Sequence, residues 1–539
     1  MRGTMMDFEL TVGSLLRHAN RFHGKREIAS RLRSGAVHHY SYADLHKRCG
    51  RLANALADLG VGEGDRVGTI AGNSFRHLEA YFAAPAMGAV VHTINPRLFP
   101  EQIEFIVNHA QDKILLIDPE FVDVVSRLRG SLPSVEHILV LADDGDELGG
   151  FASYEEKIAA YDEQFDWPAV DERKGAALCY TSGTTGNPKG VLYTHRSIVL
   201  HTMMVSGADW FAVRKRDAVM PVVPMYHVMG WSLPYAAAMN GAKLVLPRSA
   251  LDSASLLELI NREKVTLAAG VPTIWSDMIA YLEEERKDLA SLQCVIVGGT
   301  APTPALIKAL EDHGVRTLHG WGMTETSSNG LLNTPDEKTD EMDSESRREF
   351  LRKQGRAPYP VNAKIVTASG DEAPWDGTTF GNLLVSGPTI ASHYFGTGDG
   401  TAPDAGPVWL DTGDIATIDA RGYVEIVDRD KDIIKSGGEW ISSIALENVA
   451  CDHPDVQEAA VISIPHPRWD ERPMLIVVPK AGHKPEAAGL LAFFEGKVAK
   501  WWIPDDVAIV DKLPRQATGK VSKADLRRQY IDAANQTKN

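Results

Sequence analysis

Ten consecutive residues combine the donors that a polyanionic ligand needs: Thr181-Ser182-Gly183-Thr184-Thr185-Gly186-Asn187-Pro188-Lys189-Gly190. Their hydroxyls and the lysine suit phosphate oxygens. The glycines let backbone N–H groups approach an anion with no Cβ in the way. The chemistry implied is a grip on phosphate, which makes the chain an expected user of ATP. The run is not a Walker A loop, which closes on Gly-Lys-Ser/Thr and opens a helix. Here Pro188 precedes Lys189 and Gly190 follows it. Apolar Ala176-Ala177-Leu178-Cys179-Tyr180 stands before the loop and Val191-Leu192-Tyr193-Thr194 after it, so the spacing predicts a loop between two strands.

Further stretches carry residue types fit for chemistry. Pro224-Met225-Tyr226-His227 is followed four residues later by Trp231. Gly298-Gly299-Thr300-Ala301-Pro302 ends a strand-like run, where α/β sheets usually bind ligands and glycines let a flat group come close. His319-Gly320-Trp321-Gly322-Met323-Thr324-Glu325-Thr326, Trp409-Leu410-Asp411-Thr412-Gly413-Asp414 and Asp428-Arg429-Asp430-Lys431-Asp432 come next. Lys435-Ser436-Gly437-Gly438-Glu439-Trp440-Ile441-Ser442-Ser443 and Pro514-Arg515-Gln516-Ala517-Thr518-Gly519-Lys520 complete the set. Singly, a lone histidine, a Gly-Gly pair, a charge cluster or a terminal lysine is ordinary structure or surface.

In this order, over about residues 10–530, the motifs resemble those of the adenylate-forming superfamily of acyl-CoA synthetases, luciferases and peptide-synthetase adenylation domains. The texture around Val223–Val228 and 435–443 is similar to that of bacterial fatty-acyl-CoA ligases, a branch that includes methylmercaptopropionate-CoA ligases. The resemblance implies roles residue by residue. Thr181, Ser182, Gly183, Thr184, Thr185, Gly186 and Lys189 would hold the ATP phosphates. Gly298, Gly299, Thr300, Ala301 and Pro302 would lie along the adenine with His319, Gly320, Trp321, Gly322 and Met323. Thr324 would donate to the α-phosphate, and Glu325 with Thr184 would hold Mg²⁺. Asp414 and Arg429 would take the ribose hydroxyls. His227, Val228, Trp231, Gly298, Gly322 and Met323 would line the acyl pocket, with His227 orienting the carboxylate. Lys435, Ser436, Gly437, Gly438, Glu439 and Trp440 would serve CoA, and Lys431 the hinge. Lys520 would serve adenylation and Lys435 thioester formation. In acetate-specific relatives the position of Gly322 holds a tryptophan, so glycine here implies room for a longer acid.

The function so implied is an AMP-forming acyl-CoA ligase. It would turn a short- to medium-chain aliphatic or thioether carboxylate into acyl-AMP with release of pyrophosphate, then acylate CoA with release of AMP. Delivery to a separate carrier protein is the first alternative, although no carrier site is fused: 148–153 has one residue too many for Leu-Gly-Gly-x-Ser. A non-catalytic nucleotide-binding protein is the second. Retention of Glu325, Asp414 and Lys520 together argues against it.

The elements that must position these residues are legible as alternating segments. Residues 45–59 have helical spacing and stop at Gly60; 67–70, 114–118, 137–141, 242–246 and 294–299 read as strands, with helices near 77–84 and up to 313. That alternation implies layered α/β architecture. From about 355 short alternating strands imply a small β-barrel-like subdomain, and the remainder a small mobile α+β domain. The expected division is 1–430, an N-terminal domain with the ATP and acyl sites, and 431–539, a C-terminal lid.

Composition agrees. A chain of 539 residues with 44% hydrophobic and 24% charged residues is a multidomain globular protein. Net charge −16 argues against a nucleic-acid or anionic-membrane partner. Cys49, Cys179, Cys294 and Cys451 form no metal-binding spacing and read as buried thiols of a reducing compartment. No signal peptide or membrane span is evident. A cytoplasmic enzyme is expected, and the branch implies a homodimer.

Overall fold

The computed structural model describes residues 3–181, 187–397, 408–437, 439–515 and 521–536. The chain divides into two compact units, Met1–Asn362 with Val385–Leu410, and Ala363–Leu384 with Asp411–Asn539.

Two largely parallel sheets organise the first unit. One runs, edge to edge, Leu331–Asn333, Arg316–Trp321, Cys294–Val297, Leu267–Gly270, Ala218–Pro221, Lys243–Leu246, Glu27–Arg31 and Val37–Ser41. The other runs Ala152–Ser153, His137–Val140, Asp112–Ile117, Arg66–Ile70, Val90–Thr93, Gly175–Tyr180 and Gly190–Thr194. Central strands such as Cys294–Val297 are buried along their whole length, as parallel strands covered on both faces must be. The helices between them follow local rules. Tyr42–Asp58 starts at a capping box in which Ser41 and Asp44 satisfy each other's backbone N–H groups. It buries Leu45, Cys49, Leu52 and Leu56 at helical spacing, and Gly60 follows it with φ +81°.

The sheet order matters for function. Ala218–Pro221, Leu267–Gly270, Cys294–Val297 and Arg316–Trp321 are adjacent and parallel. Their carboxyl ends therefore share one edge, and from that edge leave the segments 222–227, 298–302 and 322–326. Three motifs far apart in sequence meet there.

The second unit holds a four-stranded path, Asn362–Val366, Gly381–Ser386, Leu410–Ile418 and Val424–Arg429. Sequence alone predicts a barrel-like closure. Among the described residues the strands form an open sheet, since four strands are too few to wrap round a filled interior. The long hairpin Val456–His466 and Asp470–Pro479 anchors the rest. Ile434, Leu446, Val461 and Leu475 pack on one of its faces, and Ile462, Ile476, Leu513 and Leu526 on the other. Of the four cysteines, Cys451 is exposed rather than buried, because it ends the helix Ser443–Cys451 on the solvent side.

Candidate active site

The phosphate-loop candidate closes a β-hairpin, as its flanking runs predict. Gly175–Tyr180 and Gly190–Thr194 pair antiparallel with Tyr180 opposite Gly190. At the mouth, the Thr181 N–H donates to the Lys189 carbonyl at 2.9 Å and the Lys189 N–H to Thr181 Oγ1 at 3.1 Å. Ser182, Gly183, Thr184, Thr185 and Gly186 lie outside the described residues.

Beyond the mouth, two candidates meet on one side chain. Lys189 Nζ stands 4.7 Å from the centre of the Tyr394 ring, within reach of the ring's negative face. The Tyr394 hydroxyl donates to Glu325 Oε1 at 2.6 Å. Glu325 is buried, and its carbonyl accepts the Ala391 N–H at 2.8 Å. Beside it, the Tyr193 hydroxyl donates to the Thr324 carbonyl at 2.6 Å. Burial and the Glu325 carboxylate raise the Tyr394 phenol well above its ordinary range, so Tyr394 remains a donor.

At the shared sheet edge, the acyl-side candidates sit on a strained turn. His227 caps a short helical segment, Val228–Ser232, in which all five residues have positive φ, from 35° at Val228 to 58° at Ser232. Only Gly230 adopts this region freely; each of the others costs about 1–2 kcal/mol. Asn73 braces the approach to this turn: Nδ2 donates to Pro221 O at 2.7 Å and Val223 O at 3.0 Å, and Oδ1 accepts the Met225 N–H at 2.7 Å. Trp231 is buried against Gly298, where an added Cβ would lie 2.8 Å from Trp231 Cη2 and 3.0 Å from Gly320 O. The structure thus brings Trp231, Gly298 and Gly320 together. Gly299 follows with φ +89°, and Thr300–Pro302 leads into the helix Pro304–Asp312.

Two candidates stand differently from what sequence implies. Gly322 does not face open space: a Cβ there would come 1.5 Å from Ser328 O and 2.9 Å from Asn329 Cα. Glycine is required by this backbone contact, so its presence carries no information about pocket length. His319 turns its ring inward, with Nδ1 donating to the Arg352 and Lys353 carbonyls at 2.7 and 3.1 Å. Burial lowers its pKa to about 4, so the ring is neutral. Trp321 ends its strand with the adjoining Gly330 against its ring; a Cβ on Gly330 would lie 2.8 Å from Trp321 Cζ3. Met323 and Thr324 follow directly, in and beside the short turn Thr324–Thr326.

In the second unit, Asp414 and Arg429 face each other across paired strands, with Arg429 Nε 2.8 Å from Asp414 Oδ1. Arg429 also donates to Thr412 O at 3.3 Å. Asp414 is buried, and its N–H donates to Thr412 Oγ1 at 3.1 Å. Lys431 is exposed, and its carbonyl accepts from Arg527 at 3.1 Å. Lys435 is exposed, its Nζ 3.6 Å from Asp430 and 5.8 Å from the centre of the Trp440 ring. Trp440 stacks on Phe380. Ser436 accepts from Arg472 at 3.4 Å. Gly437 has φ +61° and donates to Trp469 O at 2.9 Å. Gly438 and Lys520 lie outside the described residues, as does the Glu439 side chain; Arg515 and Val521 pair on either side of the Lys520 segment.

Sequence reasoning missed Tyr394, Asn73 and His201. Tyr394 stands in Ser392-His393-Tyr394-Phe395-Gly396, a run that matches no phosphate-binding or metal-ligand pattern. Asn73 and His201 act through three-dimensional contacts that leave no trace in spacing.

The whole arrangement has counterparts. The family model described as AMP-binding enzyme matches residues 15–395, and the AMP-binding enzyme C-terminal domain matches 445–520. The chain is 46% identical over 538 residues to a 3-methylmercaptopropionyl-CoA ligase of Ruegeria lacuscaerulensis, covering 99% of each chain. It is 45% identical over 537 residues to a medium-chain-fatty-acid–CoA ligase of Ectopseudomonas oleovorans, covering 99% of this chain and 98% of the relative. Among solved structures, an anthranilate CoA ligase in complex with anthranoyl-AMP superposes with a TM-score of 0.86 at 26% identity, covering 99% of this chain and 100% of that one.

Proposed function

This chain belongs to the AMP-binding enzyme family, and from that premise we propose that it is an ATP-dependent acyl-CoA ligase for short- to medium-chain aliphatic or thioether acids, 3-methylmercaptopropionate among them. A carboxylate is a poor electrophile because oxide is a poor leaving group. Its oxygen attacks the α-phosphorus of ATP, giving acyl-AMP and pyrophosphate. The CoA thiol then forms the thioester and AMP leaves. The observation that carries this reading is the convergence of Lys189 and Glu325 on Tyr394 beside the hairpin loop. A cation for phosphate and a carboxylate for phosphate's counterion are held by one aromatic side chain.

Glu325 fits a Mg²⁺ site: Tyr394 fixes Oε1, and Oε2 is a hard oxygen of the kind Mg²⁺ takes alongside phosphates and water. When bound, the ion would offset repulsion between the acid and the polyphosphate. Lys189 adds a fixed positive charge, Trp321 covers the adenine, and Asp414 accepts the ribose hydroxyls with Arg429 holding its carboxylate in place. His227 orients the substrate carboxylate, and Trp231 bounds the acyl group. Lys520 attends the α-phosphate during adenylation. Lys435 and the strip Ser436–Trp440 attend CoA. The working domains are 1–430 and 431–539, with Lys431 as pivot. CoA is favoured over a carrier protein because full-length relatives are named as ligases of CoA. The branch resemblance supports a cytoplasmic homodimer; no described helix is long and apolar enough to cross a membrane.

The test is a panel of acids from acetate to dodecanoate, with 3-methylmercaptopropionate, incubated with ATP, Mg²⁺ and CoA. Pyrophosphate, AMP and thioester should appear in equal amounts, with four- to ten-atom acids preferred at roughly threefold or more per buried methylene. Preference for acetate, or pyrophosphate without thioester, overturns the reading.

A further inference from the structure

His201 lies on the helix His195–Val205, outside every motif, and is fully buried. It joins two strained turns. Nδ1 is 2.7 Å from Ser232 Oγ, and Ser232 ends the left-handed turn that carries Val228 and Trp231. On the opposite side, Nε2 is 3.4 Å from Ser328 Oγ and 3.4 Å from the Asn329 backbone nitrogen. Ser327 and Ser328 have φ of 54° and 102°, and their segment is the one pressed against Gly322. Because the Asn329 N–H is a donor, Nε2 is the acceptor. The ring proton therefore sits on Nδ1 and points at Ser232. A neutral ring is what this arrangement needs, and burial, which lowers the pKa to about 4, supplies it.

The histidine is thus a strut of fixed length. One end fixes the Val228–Ser232 turn, the other the Ser327–Asn329 turn that packs against Gly322. Between them lies a small cavity whose wall includes His201, Ser232, Val228 and Met229 from one side and Ser327 from the other. Left-handed backbone at five consecutive residues persists only where the surroundings over-determine it, and His201 is a polar tie within the wall that does so.

We propose that His201 is a positioning and specificity-determining residue: it holds the Val228–Ser232 and Ser327–Asn329 turns at a set separation and thereby fixes the width of the acyl pocket. This rests on the acyl-CoA ligase reading above. It requires His201 to touch neither ATP nor the reacting carboxylate.

Three variants test it. His201→Phe keeps the bulk and loses all three polar contacts; Ser232→Ala breaks the Nδ1 tie from its other end; His201→Asn keeps an amide donor near the Nδ1 position. In the acid panel, His201→Phe and Ser232→Ala should raise KM for the preferred acid about tenfold, the worth of one buried hydrogen bond, and flatten the chain-length profile, while KM for ATP stays within about twofold. His201→Asn should restore part of the profile. Thermal midpoints are measured alongside. If the variants lose stability or kcat while the chain-length profile keeps its wild-type shape, His201 is only a core residue and the proposal falls. Should His201→Phe fail to fold, an unchanged profile in Ser232→Ala overturns it alone. A wild-type protein inert towards every acid overturns the ligase reading first, and this assignment with it.

Discussion

Glu325 and Lys189 carry opposite charges, yet each is held by Tyr394, one through its hydroxyl and one through its ring. Replacing that hydroxyl separates the two contacts. In Tyr394→Phe the ring remains for Lys189 and only the Glu325 bond is lost. A hydrogen bond to a charged group contributes about 1.5–3 kcal/mol, so KM for ATP and the Mg²⁺ requirement should rise about tenfold or more with KM for the acid unchanged. Initial rates titrated separately with ATP, Mg²⁺ and acid check this, and an acid-specific effect would contradict the placement. His319 offers a second test at the same scale. Its folded pKa of about 4 lies below the ordinary 6.5. Between those values the unfolded chain binds a proton that the folded chain refuses. Stability from this group therefore falls as pH falls from 6.5 to 4, at about 1.4 kcal/mol per unit, and is unaffected above 6.5. His319→Asn keeps an amide donor for the Arg352 carbonyl and removes the titration. Its urea midpoint should drop less between pH 7 and pH 5 than that of the wild type; parallel curves would show that His319 titrates normally.

The edge formed by four parallel strands works only if the segments leaving it are held, and Asn73 holds one of them from another sheet's connection. It satisfies two carbonyls and one N–H between Pro221 and Met225, and is itself buried. Asn73→Ala leaves those groups without partners, at a cost of about 2–4 kcal/mol. The thermal midpoint should fall by several degrees and KM for the acid should rise, since His227 follows directly. A variant with normal KM and normal stability would show that the loop holds itself. At this scale sequence was informative where apolar runs flank glycine-rich loops: the hairpin around 181–190 and the strand before 298 follow from local pattern. It was uninformative where a backbone conformation is imposed from outside. Gly230 alone hints at positive φ, while Val228, Met229, Trp231 and Ser232 share it with no local cause. Gly322 misled for the same reason, because a tertiary contact with Ser328 selects glycine as firmly as an open pocket does. Tyr394 enters the site from a strandless stretch 200 residues after the hairpin's last residue, Thr194, and periodicity does not encode such a return.

A molecule with net charge −16 must still bring together a carboxylate, a polyphosphate and later CoA. Positive charge therefore has to be placed locally and, for two successive reactions, twice. Lys189 belongs to the first unit, Lys435 to the second, and Lys520 to the chain after the second unit's hairpin. Lys435 already faces Asp430 and the Trp440 ring, beside the strip proposed above to attend CoA. Lys520 ends a Thr-Gly-Lys run of the kind that, by resemblance, closes on the α-phosphate. Lys520→Ala should then slow pyrophosphate release by about two orders of magnitude, the ~3 kcal/mol of a lost transition-state charge contact, while supplied acyl-adenylate still acylates CoA at near the wild-type rate. Lys435→Ala should do the reverse, sparing pyrophosphate release and slowing the thioester step. Single-turnover assays of each half-reaction decide it. If Lys520→Ala cripples both steps equally, one lysine serves the whole cycle and the division of labour between the two is wrong.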